Sequence, residues 1–251
     1  MTLSLSRGER SRSVLANASF DNIWFYPVRN NTHDKILHVN KTIYPPVIIF
    51  FLLTACASAP TVVTPLQPSG TLLFQDEFDQ NTTGWDRVAN DGGIMDYDSG
   101  GYRFLIRQSK LNFWSTPEKD FRDVRVEADV TKLNGPNENR MGLMCRYQSG
   151  NYYFFIITND GYYAIGKFIG GQTVLLGQSE MQASTNVQVG ASLNHLRADC
   201  IGDSLTFYVN YHLVAGAKDS DLQSGDVGLL AGSFAEPGVD VLFDHFVVMQ
   251  P

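Results

Sequence analysis

Two short stretches of this 251-residue chain set charged residues at alternate positions, the spacing that could do chemistry on a strand. In VRVEADVTK, Glu127 and Asp129 stand two residues apart, and in NHLRADC the same spacing joins His195, Arg197 and Asp199. An extended chain turns successive side chains to opposite faces, so each set shares one side. Val124, Val126, Ala128 and Val130 then take the other side of the first stretch, and Leu196, Ala198 and Cys200 that of the second. Carboxylates and an imidazole meeting on one sheet face could move protons, so Glu127, His195 and Asp199 are the catalytic candidates. The same residues also fit a solvated outer face of alternating charge.

A third stretch, RMGLMCRY, places Met141, Leu143 and Cys145 on one side and Arg140 and Arg146 on the other. Arg146 and Arg197 are candidates for meeting a polar ligand beside His195, in a charged cleft suited to many hydroxyl groups. Stacking aromatics would complete such a site. Trp114, in the loop-like NFWSTPE, and Tyr162, beside the Asp160-Gly161 turn, are the exposed candidates among Trp85, Tyr102, Tyr147, Tyr152, Tyr153 and Tyr163, most of which a sandwich core would use. No Ser-His-Asp order, metal-spaced His/Cys cluster or glycine-rich phosphate loop stands out. Five histidines, two of them before residue 56, supply little imidazole for a metal.

The elements that must position these residues are short, β-branched and aromatic. Runs such as GYRFLIR, DVRVEADVT, NYYFFIIT, SLTFYVN and VDVLFDHFVVM are separated by Ser149-Gly150-Asn151, Asn159-Asp160-Gly161, Gly170-Gly171 and Gly202-Asp203. Asp-Gly between alternating apolar runs predicts a hairpin. No stretch of twelve residues has helical period; the nearest, Gln178 to Thr185, is short and polar. Many strands at this spacing predict an all-β, antiparallel two-sheet sandwich over residues 71–251, a length that supports one core.

Before it the chain changes character. Val47 to Leu53 reads VIIFFLL, too short for a bilayer core that needs about 20 helical residues. Lys41 precedes it and small residues follow, the order of an export signal. Leu53-Thr54-Ala55-Cys56 resembles the lipobox of bacterial lipoproteins. That resemblance implies a signal peptide over 39–55, acylation of Cys56 and attachment to a membrane of the bacterial cell envelope by chains numerous enough for stable anchoring. Residues 1–38 show no sustained period. They fit either an extension upstream of a true start at Val39 or a long basic segment. Residues 56–70, with Pro60, Pro65 and Pro68, read as a semi-extended tether.

Of 19 basic and 26 acidic residues, six and three lie before Cys56, which leaves a net charge of −10 beyond it. That balance excludes nucleic acid as a partner and electrostatic adhesion to anionic lipid. The two remaining cysteines, Cys145 and Cys200, both face inward by alternation. In an exported chain they fit a disulfide, and they fit two small free core residues as well.

The stretches FQDEFDQNTTGWDR, GGYRFLI, DFRDVRVEADV, the GLMCRY to YYFFII hairpin and VDVLFDHFVVM together resemble the concanavalin A-like jelly-roll domains, including laminin G-like modules and 3-keto-disaccharide hydrolases. The resemblance implies a jelly roll over Leu72 to Met249. It also implies structural calcium where the first and last strands meet, with Asp76, Glu77, Asp79 and Asp244 as oxygen donors; no other cofactor is required. Laminarinase-type glycosidases on this fold carry Glu-x-Asp-x-x-Glu. Here Glu127 and Asp129 match, but Lys132 stands where the second glutamate should, which removes one of the two required carboxylates. The expected function is a lipid-anchored surface module that binds carbohydrate or another extracellular polymer without catalysis. A glycoside hydrolase on the same scaffold and a structural or adhesion lipoprotein are the alternatives.

Overall fold

The structure is a computed structural model and describes residues 70–251; the lipobox, Cys56 and most of the tether lie outside the described residues. Sixteen strands and no helix occur among the described residues. The chain opens with β1 (Leu72–Asp76), β2 (Val88–Asn90), β3 (Gly93–Asp98), β4 (Gly101–Ile106) and β5 (Asn112–Ser115). It continues with β6 (Val124–Asn134), β7 (Asn139–Gln148), β8 (Asn151–Ile157), β9 (Tyr162–Ile169), β10 (Gln172–Leu175) and β11 (Gln182–Ala183). Then follow β12 (Leu193–Ile201), β13 (Ser204–Val209), β14 (His212–Lys218), β15 (Asp226–Ser233) and β16 (Val239–Met249).

Two antiparallel sheets result. One has nine strands in the order β14-β13-β12-β6-β16-β4-β3-β2, with β1 also pairing β16. The other has seven, β10-β9-β8-β7-β15-β5, with β11 pairing β9. The chain crosses between sheets at β4 to β5, β5 to β6, β6 to β7, β11 to β12, β14 to β15 and β15 to β16, so both sheets are built from interleaved segments.

The predicted turns sit where expected. Ser149 (φ 50°) and Gly150 (φ 83°) carry the paired positive angles of a tight hairpin turn between β7 and β8, matching the twist of the strands they join. Val124, Val126, Ala128 and Val130 of β6 and Leu196, Ala198 and Cys200 of β12 point into the core between the sheets, as their alternation predicts. Cys145 of β7 and Cys200 of β12 are joined in a disulfide across that core, with Cα atoms 6.8 Å apart.

Four strands are absent from the sequence-based expectation. β2, β3 and β11 are short or half-exposed, and β5 falls inside NFWSTPE, which reads as loop. β5 exists because β15 pairs with it, Trp114 standing opposite Leu230. Trp114 is therefore an edge-strand residue, not a loop residue.

Candidate functional site

The two outer faces of the sandwich differ in kind, and the sequence-predicted residues divide between them. On the nine-stranded sheet, register sets His195 beside Asp129, Arg197 beside Glu127 and Asp199 beside Arg125. His195 Nδ1 lies 2.8 Å from Asp129 Oδ1, and Nε2 lies 3.3 Å from Glu127 Oε2, close enough to pair but off the line of a good hydrogen bond. The ring stacks on Tyr211 with centroids 4.6 Å apart. The hydrogen bond to Asp129 first, then the close approach of Glu127, outweighs burial and raises the His195 pKa from its ordinary 6.5 to about 9. An imidazolium between two carboxylates is a closed arrangement.

Asp199 is buried and held by two guanidinium groups, Arg197 at 2.6 Å and Arg125 at 3.2 Å. Arg197 also lies over the Tyr208 ring at 4.4 Å. Glu127, Asp129, His195, Arg197 and Asp199 do meet on one face, and each has a partner from within the chain.

Arg146 does not join them. The β7 register shifts between Cys145 and Gln148, and Arg146 sits in that bulge at φ 55°. A bulge re-aims a side chain that strict alternation would place elsewhere. The guanidinium turns into the end of the sandwich and donates to the carbonyls of Gly202 (2.8 Å), Leu222 (2.9 Å) and Arg122 (3.2 Å) and to Asp123 (3.2 Å). It ties the two sheets together.

The calcium donors are also divided. Glu77 and Asp244 come together, with His245 as third member, their ligating atoms all within 4.8 Å. Asp76 is excluded because its carboxylate accepts from Phe78 N (2.7 Å), Trp85 Nε1 (2.9 Å) and the Thr83 hydroxyl. Asp79 is exposed and outside the cluster. Calcium takes six to eight oxygens, and of the four expected donors Glu77 and Asp244 converge, beside an imidazole nitrogen.

The outer face of the seven-stranded sheet is of the opposite character. Met144, Tyr152, Phe154, Ile156, Ala164 and Leu230 are buried there as a second apolar cluster, with Trp114, Tyr147, Phe168, Leu175 and Met181 packed against it. Tyr152 stacks on Phe168 (5.5 Å, 27°) and lies 6.0 and 6.1 Å from the Tyr147 and Trp114 rings. Alternation along β9 places Tyr162 on this face too, and it is 41% exposed. Sequence reasoning named Trp114 and Tyr162 for exposure, and the tertiary structure adds that both belong to one aromatic face. Tyr102, Tyr153 and Trp85 are core residues, and Tyr163 packs against the core.

This face has few acids. Its seven strands contain a single carboxylate, Asp226. Burial raises the pKa of Asp226, against hydrogen bonds from neighbouring backbone and Thr116. Arg140, which alternation with the core residue Met141 assigns to the outer side of β7, also lies on this face.

Compared by sequence, the chain matches no protein-family profile and no curated protein. Compared by structure, it is similar to the carbohydrate-binding module CBM66 from Bacillus subtilis (TM-score 0.55, 20% identity, covering 67% of this chain and 97% of the module). A protein of unknown function with a galectin-like fold, also from Bacillus subtilis, gives TM-score 0.56 at 14% identity over 73% of this chain and 97% of the other. The β-glucanase of Bacillus licheniformis gives 0.52 at 13% identity over 74% of this chain and 100% of the enzyme. At these identities the likeness is one of architecture, and the described domain is a concanavalin A-like jelly-roll sandwich.

Proposed function

We propose that this domain binds carbohydrate, without catalysis, on the outer face of its seven-stranded sheet, and that acylation of Cys56 holds it at a membrane of the cell envelope. The observation that carries the reading is the second apolar cluster. A sandwich needs only its inner faces to be apolar. An outer face on which Trp114, Tyr147 and Phe168 stay partly exposed over the buried Tyr152 supplies flat rings of the kind that stack on the apolar faces of sugars. The fold is shared with a module named for carbohydrate binding, and the Cys145–Cys200 bond suits an oxidising compartment outside the cytoplasm.

Nothing specific favours hydrolysis. The usual glycosidase mechanism needs two carboxylates flanking the bond, and the strands of the aromatic face carry one. Glu127 and Asp129 lie on the other sheet, paired with His195.

The test is a glycan array followed by titration calorimetry on the best polymer. Trp114→Ala should weaken binding at least about tenfold, a little over 1 kcal/mol. Glu127→Gln and His195→Ala should leave it unchanged. Unaltered binding by Trp114→Ala, or release of sugar lost with Glu127→Gln, would overturn the reading. Mass spectrometry of the membrane fraction tests the anchor through a diacylglyceryl group on Cys56.

A further inference from the structure

Two arginines of β7 are equally hidden and oppositely served. Arg140 and Arg146 are each 1% exposed. Arg146 donates to three carbonyls and a carboxylate. Arg140 makes one hydrogen bond, from Nη2 to the Ser233 carbonyl at 2.8 Å, while Nε and Nη1 meet no acceptor. No carboxylate of the described residues pairs with it, and one face of its guanidinium lies against the Phe234 ring, 4.0 Å from the centroid.

Its place in the fold connects it to the aromatic face. Met141 points into the core, so Arg140 points outward, on the side of Met144 and Tyr152. Across the sheet Gly232 stands opposite both Arg140 and Asn112. A Cβ at Gly232 would lie 3.0 Å from Arg140 Cδ and 1.8 Å from Asn112 Oδ1, so the bare glycine is what lets these two polar side chains lie side by side on the floor of the face. Burial lowers the Arg140 pKa to about 9, against the opposing effect of Tyr152.

A buried donor without an acceptor costs about 1 to 3 kcal/mol, and an unpaired buried charge costs more. At Arg146 the fold avoids that penalty completely. At Arg140 it leaves a guanidinium in apolar surroundings at the edge of a row of stacking rings, which is a complement to a negative group carried on a sugar.

Resting on the carbohydrate reading above, we infer that Arg140, beside Asn112, is an anion subsite of the aromatic face and selects acidic glycans, those bearing a uronate carboxylate or a sulfate ester. The shared chemistry is an oxyanion presented by a ring that the partly exposed Trp114 can stack against. Neutral polymers leave Nε and Nη1 unsatisfied and bind more weakly.

The experiment uses the full chain, purified in detergent, as wild type, Arg140→Met, Arg140→Lys and Trp114→Ala. Each is titrated with a polyuronate, the same polymer after carboxyl reduction, and a sulfated neutral glucan. Wild type should bind at least one acidic polymer about tenfold or more tighter than the carboxyl-reduced one, and the polymer preferred identifies carboxylate or sulfate as the anion. Arg140→Met, of similar length and without charge, should abolish that preference and keep the residual neutral binding. Arg140→Lys should retain part of it, which separates loss of charge from misfolding. Equal binding of acidic and neutral polymers by wild type, or a preference that survives in Arg140→Met, overturns the inference while leaving the carbohydrate reading intact. Failure of every polymer to bind, or binding indifferent to Trp114→Ala, overturns both.

Discussion

His195 and Asp129 stand directly opposite each other on β12 and β6, and their side chains meet at 2.8 Å on the outer face of the nine-stranded sheet. Glu127, two residues away on the same strand, closes on the other ring nitrogen. The charged residues that alternate in the sequence thereby neutralise one another, and the face they form is a set of internal pairs.

That pairing makes stability depend on pH. The folded His195 pKa is raised from 6.5 to about 9, so the imidazolium contribution is fully present below about pH 6.5 and is lost as pH rises through 9. Because the ring is partly solvated, the amount is about 1 to 2 kcal/mol. Denaturant midpoints measured from pH 6 to 10 should fall across this window in wild type and stay flatter in His195→Gln.

The disulfide should account for a substantial share of stability. It closes an interval of 55 residues and joins the two sheets across the core. Replacing both cysteines by alanine should cost about 2 to 4 kcal/mol, on the order of 5 to 15 °C in melting temperature for a domain of this size. Calorimetry of Cys145→Ala/Cys200→Ala checks this, and an unchanged midpoint would show that the bond is not formed in solution.

The two buried arginines should respond differently to the same substitution in the absence of ligand. Arg146→Met leaves three carbonyls and Asp123 without their donor and should destabilise by about 3 to 5 kcal/mol. Arg140→Met removes a desolvated charge with a single hydrogen bond and should cost about 1 kcal/mol or less. Urea unfolding of the two variants side by side decides it.

Asp76 should prove structural. Its carboxylate organises Thr83, Trp85 and Phe78 at the start of the domain. Asp76→Asn should lower stability by about 1 to 3 kcal/mol, equally with and without calcium. Chelator should leave the wild-type melting temperature where it was; a rise of several degrees on adding calcium would restore that ion to the first and last strands.

What the sequence determined by itself was local. Period-two alternation in DVRVEADVT and NHLRADC assigns Val124 to Val130 of β6 and His195 to Cys200 of β12 to their correct faces, because a pleated strand leaves only two directions to choose from. Turn residues such as Ser149-Gly150 locate hairpins because few residues tolerate positive φ. The inward placement of both cysteines follows from the same alternation and makes their bond possible.

Only the tertiary structure decided which faces those local choices would serve. Arg146 left its predicted side because a one-residue slip in register at the β7 bulge redirects it, and pairing across strands far apart in sequence sets that register. Trp114 became part of a sheet through β15, more than a hundred positions later, and so entered an aromatic face with Tyr152 and Phe168. The separation of charge onto one sheet and aromatic surface onto the other arises in the same way. Alternation names the two sides of a strand, but the crossovers between sheets decide which strands share a surface.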